Sequence, residues 1–285
     1  MGPLPRAPSR DRNAEAGRPR RAGMVAADLH VHTTNSDGRL SLPEVLAAAR
    51  AADLEAVAVT DHDRLHPDLA APVETRDGLT VVHGVELKVE TDTQRLDLLG
   101  YGARATPALR AELERLQTDR VERGRAIVEG LEAHLGLDLD VAIEPGLGRP
   151  AIARAVADHP ETDYTVQAVF DEFIADGRPL FVPRSVTPVE TGRDLLAEAC
   201  EFVGLAHPLR YEDPGAALAL AADLDALEVY YPYDGEPDLA PVRRAVDRHD
   251  LLVTGGSDAH DDDLGRAGLD AADWAAVRER LPAPR

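Results

Sequence analysis

The stretch AADLHVHTTNSDGRLSLPEVLAAARAADLEAVAVTDHD, residues 26–63, reads as a strand, a helix and a second strand, with a polar cluster after each strand. "AADLHVH" (26–32) has the small and apolar pattern of a buried strand. "SLPEVLAAARAAD" (41–53) has helical spacing, with Pro43 near its start, where a missing N–H is tolerated. "EAVAVT" (55–60) is again short and apolar. Strands of this kind joined through helices indicate a parallel sheet. Side chains alternate along a strand, so His30 and His32 share a face, and two imidazoles on one face can share a metal ion. A strand end carrying two ordinary polar residues would look the same, so the pair has to be weighed with the rest of the chain.

The pattern continues outward. Further strand-like runs are "LTVVHG" (79–84), "RLDLLGYG" (95–102), "EFVGLA" (201–206), "ALEVYY" (226–231) and "LLVTGG" (251–256). Seven strands suit a barrel better than a small open sheet, so an α/β barrel is expected. Residues 105–180 break the rhythm. "TPALRAELERLQTDRVERGRAIVEGLEAHLG" (106–136) is a long amphipathic helix, and "RPAIARAVADHP" and "TVQAVFDEFIADG" are shorter ones, together a helical insertion. Residues 1–23 are rich in Pro, Gly, Ala and Arg without hydrophobic period. They are expected to be a disordered basic tail, either a nucleic-acid arm or an inert product of an early start, before one domain spanning 24–285.

Of the 285 residues, 44% are hydrophobic, enough for a full core. No apolar run approaches the ~20 residues that span a bilayer, and no signal-peptide h-region follows the basic start, so a cytoplasmic protein is expected. The single cysteine, Cys200, cannot form an internal disulfide and reads as a buried filler. The formal net charge is −21, acids are spread along the whole chain, and Lys88 is the one lysine among 31 Lys and Arg. Such self-repulsion suits a halophile, where ~3 Å screening at 1 M salt quenches it. It argues against sequence-independent binding of duplex DNA and leaves room for a small anionic substrate in a locally positive pocket.

Ligand-type residues recur at strand ends: His30 and His32, then Asp61, His62 and Asp63 in "TDHD", Glu86 in "GVE", His207 in "AHP", and Asp258 and His260 in "GGSDAH". Asp37 follows in "SDG", a common turn. In a parallel barrel the C-terminal strand ends meet on one face, where active sites are built. Five of the ten histidines would converge there with at least three carboxylates. Imidazole mixed with carboxylate suits Zn, Mn or Fe better than Ca or Mg. His66, His134, His159 and His249 read as solvated, and His83 stays outside the set.

In order and separation, "DLHVHTTNSDG", "VTDHD", "GVE", "AHP" and "GGSDAH" resemble the PHP (polymerase and histidinol phosphatase) family. The likeness runs from Met24 to about Gly268 and is nearest to stand-alone phosphoesterases, which include nucleoside 3′,5′-bisphosphate phosphatases and short-RNA 5′ exonucleases. It implies a distorted seven-stranded (β/α) TIM-like barrel and two or three divalent ions. His30, His32, Glu86 and Asp258 would hold one; Asp37, His62 and His260 a second; Glu86, His207 and Asp97 a third. His30, His32, His62, Glu86, Asp258 and His260 form the implied catalytic set. The chain departs from the pattern at Asp97, where a histidine is usual, and at Ala151, where relatives often read "RPH". Clustered cations would activate water and neutralise a phosphoryl group, with no Ser or Cys nucleophile. Asp61 and Asp63 read as carboxylates orienting ligand imidazoles. Arg120, Arg123, Arg149 and Arg184 are candidates to clamp phosphate, and each would equally serve as a surface ion-pair partner. The expected function is metal-dependent hydrolysis of a nucleotide bisphosphate or a short RNA end. The alternatives are a histidinol-phosphate-type phosphatase, or a degenerate module that binds metal or nucleotide without turnover.

Overall fold

The structure is a computed structural model that describes residues 25–145 and 147–285, so the expected tail at 1–23 lies outside the described residues. The seven expected strands all form. β1 (Ala27–Val31), β2 (Ala56–Val59), β4 (Leu79–Glu90), β5 (Arg95–Tyr101), β7 (Phe202–Leu205), β8 (Ala226–Tyr230) and β9 (Leu252–Gly255) are hydrogen-bonded neighbours in that order. Two short strands, β3 (Val73–Arg76) and β6 (Thr187–Pro188), pair with β4 at its flanks. The result is a nearly closed barrel. At the seam Val31 bridges Ala259, and the backbone of Gly256 lies so close to β1 that a Cβ there would sit 2.3 Å from His30 Cβ.

The sheet is not uniformly parallel, contrary to the pattern reading. β5 runs antiparallel to both β4 and β7, while β1/β2, β2/β4, β7/β8 and β8/β9 are parallel. The cause is the short link of residues 91–94, closed by a 2.9 Å bond from Thr91 N to Gln94 O. So short a link reverses the chain, because a parallel crossover needs a dozen or more residues.

Helix α1 (Leu42–Ala51) lays Leu42, Val45, Leu46 and Ala49 on Val57 and Val59. The barrel interior holds Ala27, Leu29, Ala56, Ala58, Leu99, Phe202 and Ala226, sealed by Trp274 and Val277 of α8 (Ala271–Arg278). Each fully buried Leu or Phe there contributes about 1.5–3 kcal/mol. β1 shifts register against β2 between Asp28 and Val31. Ala27 and Leu29 pack in the interior, whereas Val31 packs with Val57 and Val59 against α1. One extra residue in the strand makes this changeover and leaves His30 and His32 on the cavity side.

Between β5 and β6 lie α2 (Pro107–Leu135), α3 (Arg149–Ala157), α4 (Val166–Val169) and a π-helical turn, Phe170–Ile174. Thr106 caps α2 by accepting from Leu109 N, and Gly136 ends it at a left-handed φ of 70°. α2 serves two cores. Leu109, Leu113 and Leu116 pack on the barrel, while Ile127, Val128 and Leu131 pack with Ile152 and Val156 of α3 and with Phe173. The polar middle of α2, including Gln117 and Arg120, is held over the strand ends, with Gln117 Nε2 donating to Asp63 O at 3.2 Å. The remaining helices, α5 (Val189–Ala199), α6 (Pro214–Ala219) and α7 (Ala240–His249), connect the later strands. Among the described residues no helix is long and apolar enough to cross a membrane.

Candidate metal centre

Glu86 is the hub. The sequence pattern places it at a strand end, but β4 continues to Glu90 because its second half pairs with β5, so Glu86 stands mid-strand. It is 1% exposed, and its Oε2 lies 3.3 Å from His30 Nε2, 3.3 Å from His32 Nε2 and 2.8 Å from His62 Nδ1. Its Oε1 lies 3.2 Å from His207 Nε2. Asp258 Oδ1 is 3.1 Å from His32 Nε2 and 3.5 Å from His30 Nε2. At the mouth Asp37 reaches His260 Nε2 at 3.3 Å and His62 Nε2 at 3.8 Å. Among the described residues three groups result, the donor atoms within each lying within 4.8 Å of one another: His30, His32, Glu86 and Asp258; His32, Asp37, His62 and His260; and Glu86, Asp97 and His207.

These residues suit a cation. His30 Nε2 and Glu86 Oε2, which face each other at 3.3 Å in the centre of the cluster, are buried and make no hydrogen bond. Buried polar atoms left this way need a further partner, and a divalent ion among imidazoles and carboxylates is such a partner. The carboxylates are held ionised. Burial would raise Glu86, but His62 and His30 outweigh it and hold it well below the usual carboxylate range. Asp37 and Asp258 are likewise lowered against burial, by contacts with His260 and His32 respectively. Burial, then the neighbouring His62, lowers His32. Strain also collects here: Asp63, His207 and Asp258 have positive φ (50°, 29° and 52°), a backbone state that side chains other than glycine adopt at a cost of about 1–3 kcal/mol.

The surrounding carboxylates differ from expectation. Neither Asp61 nor Asp63 touches an imidazole. Asp61 accepts from Thr33 N (2.7 Å), Asn35 Nδ2 (3.0 Å) and Ser36 Oγ (2.8 Å), and so ties down the loop that carries Asp37. Asp63 accepts from Lys88 N at 3.0 Å and pairs with Arg184 and Arg120. The carboxylate that holds the far side of an imidazole ring is Glu228. Its Oε1 lies 3.1 Å from His30 Nδ1, and its Oε2 accepts from His207 N at 2.7 Å. A signal was present: Glu228 is the one acid inside the apolar strand "ALEVYY". Asp28 accepts from Ser257 N (2.9 Å) and Gly265 N (2.8 Å) and fixes the loop carrying Asp258 and His260. Tyr231 and Arg210 donate to Asp258 Oδ2 at 3.1 and 3.2 Å, contacts that no local pattern announced.

Arg120 and Arg184 line a cavity of about 510 Å³ together with Asp37, His62, Glu86 and His207. A second cavity of about 490 Å³ shares Arg120 and Arg184 with it and adds Arg123, Arg149, Arg154 and Ala151. All four expected arginines line these two adjoining cavities, joined by Arg95, Arg154 and Lys88, none of which was among the expected phosphate-binding residues. Burial and the neighbouring Arg149 and Arg184 push Arg123 down to about 10. Arg149 Nη1 is partly engaged, donating to Ile174 O at 3.1 Å. Asp97 bonds Lys88 Nζ, and its other oxygen is 4.0 Å from His207 Nε2. His66, expected to be solvated, is buried at 6% exposure, and its backbone N–H donates to His83 Nε2 at 3.1 Å.

Comparison with known proteins places this geometry among relatives. The family described as PHP domain matches residues 28–175. A 3′,5′-nucleoside bisphosphate phosphatase of Chromobacterium violaceum is 31% identical over 254 residues, covering 83% of this chain and 88% of that protein. A 5′-3′ exoribonuclease, Rnm, of Salmonella typhimurium is 32% identical, covering 83% of this chain and 85% of that protein. Among solved structures, one described as an amidohydrolase from Chromobacterium violaceum, with bound sulfate and no metal, superposes with a TM-score of 0.71 at 26% identity. That match covers 91% of this chain and 98% of the other.

Proposed function

The chain belongs to the PHP domain family, a metal-dependent phosphoesterase scaffold, and from that premise we propose that it hydrolyses phosphate esters of nucleotide 3′,5′-bisphosphates or short RNA ends in the cytoplasm. One observation carries the reading: a buried hub of imidazoles and carboxylates around Glu86 opens into a cavity lined by arginines, in a chain whose net charge is −21. In an acidic protein a concentrated cationic pocket favours a small anion with more than one phosphate.

In this reading His30, His32, Glu86 and Asp258 hold one divalent ion, and Asp37, His62 and His260 hold a second. Mn, Zn and Fe suit such donors. When bound, the ions supply Lewis acidity that makes water a nucleophile near neutral pH and neutralises phosphoryl charge. Glu228 keeps the His30 ring and the His207 backbone in place. Arg120 and Arg184, steadied on Asp63, present guanidinium groups to the reacting phosphate, and Arg123 and Arg149 lie further out for a second phosphate. Residues 105–180 serve as an insertion that brings most of these arginines over the barrel mouth.

Turnover with Mn²⁺ in high salt tests the proposal: phosphate release from a nucleoside 3′,5′-bisphosphate, histidinol phosphate and an aryl phosphate, and mononucleotide release from a 5′-phosphorylated short RNA. The bisphosphate or RNA should be hydrolysed with the highest kcat/KM. Preference for histidinol phosphate would move the substrate to that class, and neither phosphate nor mononucleotide from any of the four would leave only a binding module.

A further inference from the structure

We infer that Lys88, held by Asp97, fills the place of a third cation, so that the protein takes up two divalent ions and supplies the remaining positive charge itself. The role of that charge rests on the phosphoesterase reading above; its position does not.

The position is built into the sheet. In the antiparallel register of β4 and β5, Lys88 stands directly opposite Asp97 and Glu86 opposite Leu99. Residues two apart on a strand share a face, so Lys88 lies beside Glu86 on the side of the site. Directly opposed residues have Cβ atoms about 4.5–5.5 Å apart, so this ion pair follows from strand register. Both backbones are clamped. Lys88 N donates to Asp63 Oδ1 at 3.0 Å, and Asp97 N donates to Tyr211 Oη at 2.9 Å, which itself donates to Ala206 O at 3.0 Å.

The third donor group, Glu86, Asp97 and His207, is thereby altered. Asp97 is 6% exposed, and a carboxylate so buried requires a counter-charge. Lys88 Nζ provides it at Oδ1. His207 Nε2 turns to Glu86 Oε1 at 3.2 Å and leaves Asp97 Oδ2 at 4.0 Å. A divalent ion among these three residues would stand against an ammonium group already in contact with one of its ligands. Composition points the same way. Lys88 is the one lysine among 31 basic residues. An arginine presents a broad planar fork, whereas an ammonium is a compact point charge with three donors, closer in form to a metal ion. The chain keeps lysine at a position that lines both cavities beside Arg120 and Arg184.

Metal counting decides it. Protein stripped of metal, loaded with excess Mn²⁺ and freed of loose ion should carry two equivalents by elemental analysis. Lys88→Met should carry three, because Asp97 is released to join Glu86 and His207. Asp97→Asn should stay at two. Three equivalents in the unaltered protein, falling to two in Asp97→Asn, would overturn the inference and make Asp97 a metal ligand. A folded Lys88→Met that stays at two would also overturn it, and Lys88→Gln gives the same reading if the methionine variant does not fold. Aryl phosphate hydrolysis on the same samples tests the phosphoesterase reading separately, since stoichiometry does not depend on turnover.

Discussion

At the scale of single residues, Glu228 shows how one carboxylate governs two others' partners. It is fully buried, accepts at His30 Nδ1, and accepts from the backbone of His207. Glu228→Gln keeps the size but replaces one acceptor oxygen with a donor. Loss of such an outer partner typically costs 10–100-fold in metal affinity. Calorimetric titration with Mn²⁺ should show a loss of that order with a melting temperature close to the original; unchanged affinity would remove Glu228 from the role of positioning residue. His83 gives a second, independent test. Burial, then the neighbouring His66, pushes it down to about 4 from an ordinary value of 6.5. Below pH ~6.5 the unfolded chain takes a proton that the folded His83 refuses until about pH 4, so stability falls as pH drops through that window. Between pH 7 and pH 5 the loss should be about 2 kcal/mol by linkage. Denaturant unfolding of the metal-free protein and of His83→Gln at both pH values checks it. The variant should lack this part of the slope, and identical slopes would refute it.

At the scale of elements, the site depends on where strands meet. The seam between β1 and β9 is closed by contact of the Gly256 backbone with His30, where a Cβ would lie 2.3 Å from His30 Cβ and 2.4 Å from His30 N. Neither is the free end of a flexible side chain, so the strands themselves must part. Gly256→Ala should destabilise the protein by about 1–3 kcal/mol, the usual cost of overpacking, and should also weaken Mn²⁺ binding because His30 is displaced. Thermal melts and metal titration together test this; a stable variant with weakened binding would place the movement in His30 alone, and no change in either would contradict the seam geometry. β4 makes a related point. Its first half pairs with β2 and β3 and its second half with β5, so one strand passes through both halves of the barrel and carries Glu86 and Lys88 to the centre.

At the scale of the whole molecule, charge is the dominant feature. With 52 Asp and Glu against 31 Lys and Arg, the net charge is −21, so acids clearly outnumber the basic residues available to pair with them. Repulsion among them destabilises the compact state in dilute buffer and is screened to about 3 Å in 1 M salt. The melting temperature should therefore rise steadily between low and multimolar KCl, and a melting temperature independent of salt would end the halophile reading. Against that acidic background the arginines of α2, α3 and the segment before β6 converge on the two cavities, where local and net charge have opposite sign.

The sequence by itself determined which residue types stand at the ends of apolar strands. His30, His32, His62, Glu86, His207, Asp258 and His260 could be picked out as one candidate set because ligand-type chemistry resides in residue identity and strand periodicity is local, and the fold brings them together. The seven strands were legible for the same reason. Their directions were not all read correctly, since β5 reverses through a four-residue link, and β4 runs past Glu86 because β5 pairs with it. Glu228 could be noticed as an acid in an apolar strand, but its partner His30 is 198 residues away. Asp61 and Asp63 looked like imidazole partners and proved to hold a loop and two arginines. The pairing of Lys88 with Asp97 belongs to register. Which side chains face each other across a sheet is set by hydrogen-bonding between segments distant in sequence, and only the closed barrel decides that.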